Sequence, residues 1–263
     1  MSSALDRLLA DADRIPVTGW DLGRLGGRIR IDPPAWDFTR LVADHARRAA
    51  DLLDLGTGGG EWLAALPHRP LRTVATEAWA PNLDVARARL EPLGVTVVLV
   101  EPAPDNVEQR ADEARGSLPF PDASFDLVTS RHESFVAAQV ARVLRPGGAF
   151  LTQQTGGDYG DFYDALGLER PPAPARNWDL RLAREQIERA GLRVTDLAEG
   201  TEATTFADAG ALAWYLRTTP WVVEGFSTAT HRPHLERLQA RVDAEGPITL
   251  RQPSFGLQAV KPG

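Results

Sequence analysis

The sequence predicts an α/β fold in which alternating strands and helices build a doubly wound parallel sheet. Three observations point to it. The run Asp51-Leu52-Leu53-Asp54-Leu55 suits a buried parallel strand. It breaks into Gly56-Thr57-Gly58-Gly59-Gly60, four glycines in five residues. Apolar, β-branched runs then alternate with helical patterns as far as Gln153, and the second of these runs ends in a carboxylate, Glu77. Such alternation is the mark of parallel strands joined by crossover helices.

Residues 1–31 mix a short helical pattern (Leu5, Leu8, Leu9) with an unassigned Gly-rich piece from Gly19 to Gly27. They are expected to cover one end of the sheet. The run Asp32-Pro33-Pro34-Ala35-Trp36 resembles the D-P-P-aromatic loop of enzymes that methylate exocyclic amines. Ala35 interrupts that pattern and no strand precedes it. The local reading is a helix start with Asp32 as N-cap and Pro33 at the first helical position. That helix would carry Phe38, Leu41, Val42 and His45.

After the glycines, Glu61 to Leu66 reads as a helix, closed by Pro67 and Pro70. Arg72–Glu77 is the second strand, and Pro81 opens the next helix, which ends at Gly94. Val95–Val100 is the third strand, rich in β-branched residues. A polar loop runs from Glu101 to Gly116. Phe125–Thr129 is the fourth strand, Val136–Leu144 a helix, Arg145-Pro146-Gly147-Gly148 a turn and Ala149–Gln153 the fifth strand. A helix at Asp179–Ala190 follows, capped by Gly191. Then come a strand at Leu192–Ala198, a helix at Asp208–Leu216 and one or two strands between Ile248 and Val260. Two would complete seven strands. The simplest organisation is one domain spanning 1–263, with a cover at 1–48, a core at 50–155 and an insertion or lid at 200–247.

Bulk composition narrows the function. The net charge is −7, which argues against a large nucleic-acid footprint. No run of about 18 apolar residues is present, so no membrane span is expected. There is no Cys, which removes disulfides, thiolate metal sites and a Cys nucleophile. The first residues lack the basic start and apolar core of a signal peptide, so a cytoplasmic location is expected. His45, His68, His132, His231 and His234 show no metal-ligand spacing.

A ligand on the glycine loop would meet backbone N–H groups at a helix N-terminus. A phosphate-binding P-loop needs Gly-Lys-Ser/Thr, which is missing. A dinucleotide loop wants G-x-G-x-x-G, but Glu61 occupies the last place. What remains is Asp54-x-Gly56-x-Gly58-x-Gly60. A carboxylate about 20 residues further on, at the end of the next strand, can accept from both hydroxyls of a ribose; Glu77 sits there.

These pieces, with Leu118-Pro119-Phe120-Pro121-Asp122-Ala123-Ser124-Phe125-Asp126-Leu127-Val128 and Val143-Leu144-Arg145-Pro146-Gly147-Gly148, resemble the class I S-adenosylmethionine-dependent methyltransferases, type 11-like. The resemblance covers roughly residues 50–155, in order, and is specific as a set. It implies a Rossmann-like seven-stranded sheet, mostly parallel with an antiparallel C-terminal strand, and S-adenosylmethionine as cofactor. It implies that Gly56, Thr57, Gly58 and Gly60 approach the cofactor and that Glu77 takes its ribose. Asp54 would hold the loop or meet the cofactor's ammonium through water, with Ser130 also at the cofactor. The family often has an acid near the adenine amino group after the third strand. Asp112 is the candidate and Glu101 its rival.

The reacting end is expected off the carboxyl end of the fourth strand, in Ser130-Arg131-His132-Glu133-Ser134-Phe135. His132 is suited to proton transfer near neutral pH. Glu133 would orient it or bind substrate, and Arg131 stands beside both. Trp79 is placed to cover the adenine face, and Trp36, Phe38, Trp214, Tyr215 and Trp221 to wall the pocket. The expected function is methyl transfer to a small-molecule acceptor. The rivals are an RNA or protein methyltransferase, and a protein that binds S-adenosylmethionine without catalysis. A nicotinamide dehydrogenase is disfavoured by Glu61.

Overall fold

The structure, a computed structural model, describes residues 4–109, 116–172 and 177–263. In chain order the elements are α1 (Ala4–Arg14), β1 (Ile29–Asp32), α2 (Phe38–Ala46), β2 (Asp51–Leu55), α3 (Glu61–Ala65), β3 (Arg72–Glu77), α4 (Ala80–Leu90), β4 (Val95–Leu99), β5 (Phe125–Arg131), α5 (Ala137–Val143), β6 (Leu144–Thr155), α6 (Gly160–Leu166), α7 (Leu180–Arg189), β7 (Arg193–Phe206), α8 (Ala209–Thr218), α9 (Arg232–Glu245) and β8 (Ile248–Val260). Among the described residues no helix is long and apolar enough to cross a membrane.

The chain forms two compact units. The core unit comprises Pro34–Gly157, Ala175–Gly200 and Pro253–Gly263; the second comprises Met1–Pro33, Asp158–Pro174 and Thr201–Gln252. The expected cover therefore divides between the two at Pro33. Most of the 200–247 stretch falls in the second unit.

The strands of the core unit run in the order β7-β8-β6-β5-β2-β3-β4. Pairs β2/β3, β2/β5, β3/β4 and β5/β6 are parallel. β8 joins β6 antiparallel, with Ala149 opposite Val260. Its span, Ile248–Val260, is a single long strand rather than two. β1, in the second unit, pairs antiparallel with the end of β7 and brings the total to eight where seven were expected. The strand order reverses between β2 and β5, which follow different crossovers. In open α/β sheets that reversal opens a crevice at the strands' carboxyl ends.

The apolar code of β2 explains why the sheet is covered on both faces. Leu53 and Leu55 belong to one buried cluster with Val128, Phe150, Leu182 and Ile187. Leu52 points the other way, among Phe38, Val42, Leu63, Ala86, Leu90 and Leu151. Successive strand residues face opposite sides, and each buried Leu contributes about 1.5–3 kcal/mol.

The expected helix at Asp32 begins later. Asp32 closes β1, and α2 starts at Phe38 with Asp37 as cap, its carboxylate accepting from the Arg40 N–H at 2.9 Å. The reason is local: the ring of Pro33 pushes Asp32 toward extended backbone. Helices α6 and α9 were not legible in the sequence.

The second unit has its own core. Leu9, Ala12, Leu212, Trp214, Leu235 and Leu238 are buried together, and the Phe162 ring stacks on Tyr215 at 5.7 Å. Asp208 caps α8 by accepting from the Ala211 N–H at 2.9 Å and pairs with Arg28, whose Nε donates at 2.7 Å.

Candidate cofactor site at the glycine loop

β2 delivers Asp54 and Leu55 to the crevice, and the chain turns at Gly56. Gly56, Gly58 and Gly60 adopt φ of 63°, 61° and 78°, where side-chain-bearing residues are strained. At Gly56 a β-carbon would lie 2.1 Å from Glu133 Cγ; at Gly60 it would lie 2.7 Å from Leu90 Cγ. These two positions need glycine for close approach as well as for turning.

The loop is tied to β3. The Thr57 N–H donates to the Thr76 carbonyl at 2.8 Å and the Gly56 N–H to Thr76 Oγ1 at 3.3 Å. The Gly60 N–H donates back to the Thr57 carbonyl at 3.0 Å. Most loop N–H groups are thus engaged within the protein. The expectation of free donors facing a ligand is narrowed, since Gly56, Thr57 and Gly60 use their N–H groups within the protein, and the Glu133 side chain lies against Gly56.

Three carboxylates converge there. Asp54 is 2% exposed and accepts from the Thr129 hydroxyl at 2.8 Å. Burial pushes its pKa up to about 6 against the Thr129 and Thr57 hydroxyls and the Arg131 charge, with Glu77 adding repulsion. Glu77 is 5% exposed, and its Oε1 accepts from the N–H groups of Ala78 and Trp79 at 3.0 and 2.8 Å. Burial raises it; the backbone N–H groups of Trp79, Gly58 and Ala78 and the Asn82 side chain oppose that rise. Glu133 is half-buried and pushed up to about 7, first by burial and then by Glu77 and Asp54. Among the described residues no acidic or histidine cluster could hold a metal ion.

The 130–135 segment is fixed from β6. The Ser130 side chain is buried and its hydroxyl donates to the Glu133 carbonyl at 3.1 Å. Gln154 Nε2 donates to the same carbonyl at 3.1 Å. His132 takes a left-handed φ of 59°, and its N–H donates to the Gln153 carbonyl at 2.8 Å. Its two ring nitrogens lie 3.2 Å from Gln153 Nε2 and 3.1 Å from Thr155 Oγ1. With the Gln153 amide donating, Nε2 is the acceptor and Nδ1 carries the proton. Crowding by surrounding protein, then the Arg131 guanidinium, lowers the imidazole pKa. The ring still reaches solvent, which moderates that depression. Both ring nitrogens are engaged, so His132 fits a positioning role better than that of a free base. Arg131 is exposed.

A cleft beside the loop is lined by Leu55, Gly56, Ala78, Glu101, Glu133 and Gln139. It brings together the expected glycine, the expected Glu133 and Glu101. Asp112 lies outside the described residues. Trp79 is 45% exposed, free to cover a planar ligand. Trp36 and Phe38 belong to the core unit, whereas Trp214 and Tyr215 are buried in the core of the second. Sequence reasoning missed Thr129, Gln153, Gln154 and Thr155. No motif marks them, since their roles arise from strand neighbours.

The fit to S-adenosylmethionine is good. The glycine surface suits the amino-acid and ribose parts, Glu77 the ribose hydroxyls and the acids a cation.

A methyltransferase-domain family profile matches residues 53–152. The uncharacterised methyltransferase YcgJ of Bacillus subtilis is 31% identical over 107 residues, and this match spans 38% of each chain. The chain thus spans under half the length of that curated relative. A solved protein from Bacillus halodurans, 23% identical, covers 86% of this chain and 99% of its own, with a TM-score of 0.56. The solved YcgJ structure, 20% identical, covers 86% and 98% with a TM-score of 0.57. At such identities the structures establish the fold. Residues 53–152 thus match a methyltransferase domain, and the chain shares its fold with these solved proteins.

Proposed function

We propose that this chain transfers a methyl group from S-adenosylmethionine to a small-molecule acceptor by in-line displacement. The observation that carries the reading is the glycine-rich loop at Gly56–Gly60 beside the buried Glu77 carboxylate at the strand-order reversal. Bound there, the cofactor supplies an electrophilic methyl group on a positively charged sulfur.

The chain's own residues then bind, orient and exclude water. Glu77 accepts ribose hydroxyls with a charged acceptor, worth more than a neutral one. Trp79 covers the adenine. The β6 side chains Gln153 and Gln154 hold the 130–135 segment in one conformation, so that acceptor and methyl meet in line; such positioning supplies much of the acceleration in bimolecular transfers. The net charge of −7 favours a small acceptor over a polyanionic nucleic acid.

Isothermal titration with S-adenosylmethionine and S-adenosylhomocysteine tests the cofactor. Binding of both is expected, and no binding of either at millimolar concentration ends the reading. Turnover with a metabolite pool, followed as S-adenosylhomocysteine release, separates an enzyme from a binding protein.

A further inference from the structure

The carboxyl edge of the core unit's sheet carries a second polar feature, on β6 and β8. Thr155 and Ser254 are register partners there, and two residues further in stand Gln153 and Gly256. Gln153 is in turn the register partner of Arg131 on β5. Directly opposed residues share a face of a sheet, and so do residues two apart on one strand. Arg131, Gln153, Thr155 and Ser254 therefore line one face at this edge. The patch begins one strand away from the β2/β5 crevice.

Trp36 lies over the same face. A β-carbon on Gly256 would lie 2.9 Å from its Nε1, and one on Gly200 of β7 would lie 3.4 Å from its Cζ3. Two absent side chains thus seat the indole. Its Nε1 is buried and has no hydrogen-bond partner. The same holds for Oγ of Ser254, a residue only 1% exposed. Buried polar groups are normally hydrogen-bonded, so two orphans on one patch mark a surface shaped for a partner outside the chain. A third donor follows from the direction of hydrogen bonding. Gln153 Nε2 and Thr155 Oγ1 lie 3.2 and 3.1 Å from the two His132 ring nitrogens. With Gln153 donating, His132 donates to Thr155, whose one hydroxyl proton is left to donate elsewhere. The indole N–H is a donor only, and the Ser254 hydroxyl supplies another. The three are spread over about 7 Å, the rise of two strand residues, which a small molecule can span.

We propose that this patch holds the methyl acceptor by a carboxylate, so that the acceptor is a small carboxylic acid. The inference rests on the function proposed above and gives Trp36, Thr155 and Ser254 the selection of the acceptor. Donors aimed at one patch take oxygen acceptors, and the guanidinium of Arg131 in the same row favours an anion. The carboxylates Asp54, Glu77 and Glu133 stand in the adjoining crevice. One guanidinium beside three acids suits a monoanion better than a phosphate dianion. His132 is then a positioning residue: its proton fixes the direction in which the Thr155 hydroxyl donates.

The test uses the full chain with S-adenosylmethionine and a cell-extract pool of small molecules, divided by anion exchange into retained and unretained fractions. Release of S-adenosylhomocysteine is expected with the retained fraction. It should survive phosphatase treatment of that fraction and be lost when its carboxyl groups are amidated. Trp36→Phe and Ser254→Ala should each raise by about tenfold the amount of that fraction needed for half-maximal release, as for one hydrogen bond to a charged group. Their affinity for S-adenosylmethionine and their urea midpoints should stay at wild-type values, because the deleted groups have no partner within the protein. A merely structural role would move the midpoint instead. Release confined to the unretained fraction, loss of release after phosphatase, or wild-type demand for acceptor in both variants overturns the proposal and leaves the proposed methyl transfer standing. Equal weakening of S-adenosylmethionine in the variants also overturns it. Release from neither fraction, in a protein that binds S-adenosylmethionine, fails the proposed transfer and this inference with it.

Discussion

The Thr129 hydroxyl donates to Asp54 Oδ1 at 2.8 Å across the β2/β5 pair, where the two residues are register partners. This bond holds a buried carboxylate at the reversal of strand order, just before the glycine loop. Thr129→Val removes the donor and keeps the shape. Leaving a buried charged acceptor short of a partner costs about 1–3 kcal/mol. The loss should be largest at pH 8, where Asp54 is ionised, and smaller at pH 5, below its pKa of about 6. Urea unfolding at the two pH values checks this; an equal loss at both would remove Asp54 as the cause.

Glu133 stands in the opposite energetic position. Its pKa is raised from 4.5 to about 7, so the folded state binds its proton more tightly than the unfolded state. The raised value therefore lowers stability as pH climbs from the unfolded pKa to the folded one, and the penalty is complete above about 7. It is absent below the unfolded value. Glu133→Gln, which keeps the size and discards the charge, should stabilise the ligand-free protein by about 1–3 kcal/mol at pH 8. The gain should shrink toward pH 4. A variant less stable than wild type at pH 8 would contradict the linkage. Strain of this kind at a binding site, relieved at the expense of function, is a common trade-off.

Gly56→Ala meets two obstacles, a φ of 63° and the Glu133 side chain. We expect a loss of a few kcal/mol, on the scale of local backbone strain plus overpacking. Glu133→Ala removes only the second obstacle. In a double-mutant cycle the Gly56→Ala cost should fall by about 1 kcal/mol or more in the Glu133→Ala background. Strict additivity would mean that the two residues are not in contact.

Glu77→Gln should weaken S-adenosylmethionine binding about 10- to 100-fold, because the ribose hydroxyls lose a charged acceptor. Fold should be preserved better than in Glu77→Ala, since Gln keeps an oxygen for the Ala78 and Trp79 N–H groups. Calorimetry alongside circular dichroism measures both. Unchanged affinity in a folded variant would remove Glu77 from the site.

In the second unit, Asp208 does two jobs, capping α8 and pairing with Arg28. Asp208→Ala should cost about 2 kcal/mol or more, and Arg28→Ala less, because only the former loses the cap. Amide exchange in the first turn of α8 is the readout. Equal protection in both variants would show that the cap carries no extra stability.

Much of the fold was written in local sequence. The apolar run of β2, the β-branched run of β4 and the helical patterns opening at Asp179 and Asp208 are one-dimensional signals, and the structure makes those two aspartates N-caps. The glycines and Glu77 were legible for the same reason: tight turns and strand-end carboxylates follow from backbone geometry. The start of α2 was misread because Asp32 and Asp37 are both good caps, and the choice fell to Pro33 and the pairing of β1 with β7. α6 and α9 were missed because their burial depends on partners distant in sequence.

The sequence by itself determined the parallel sheet and the glycine loop, because strand periodicity, glycine φ and a terminal carboxylate are local properties. Only the tertiary structure decided what faces that loop. Strand pairing set Thr129 beside Asp54, β6 fixed the 130–135 segment, and Glu133 came to rest on Gly56. Charges that share a crevice without sharing a stretch of chain have no one-dimensional signature. Their pKa values depend on burial and on one another, which only packing supplies.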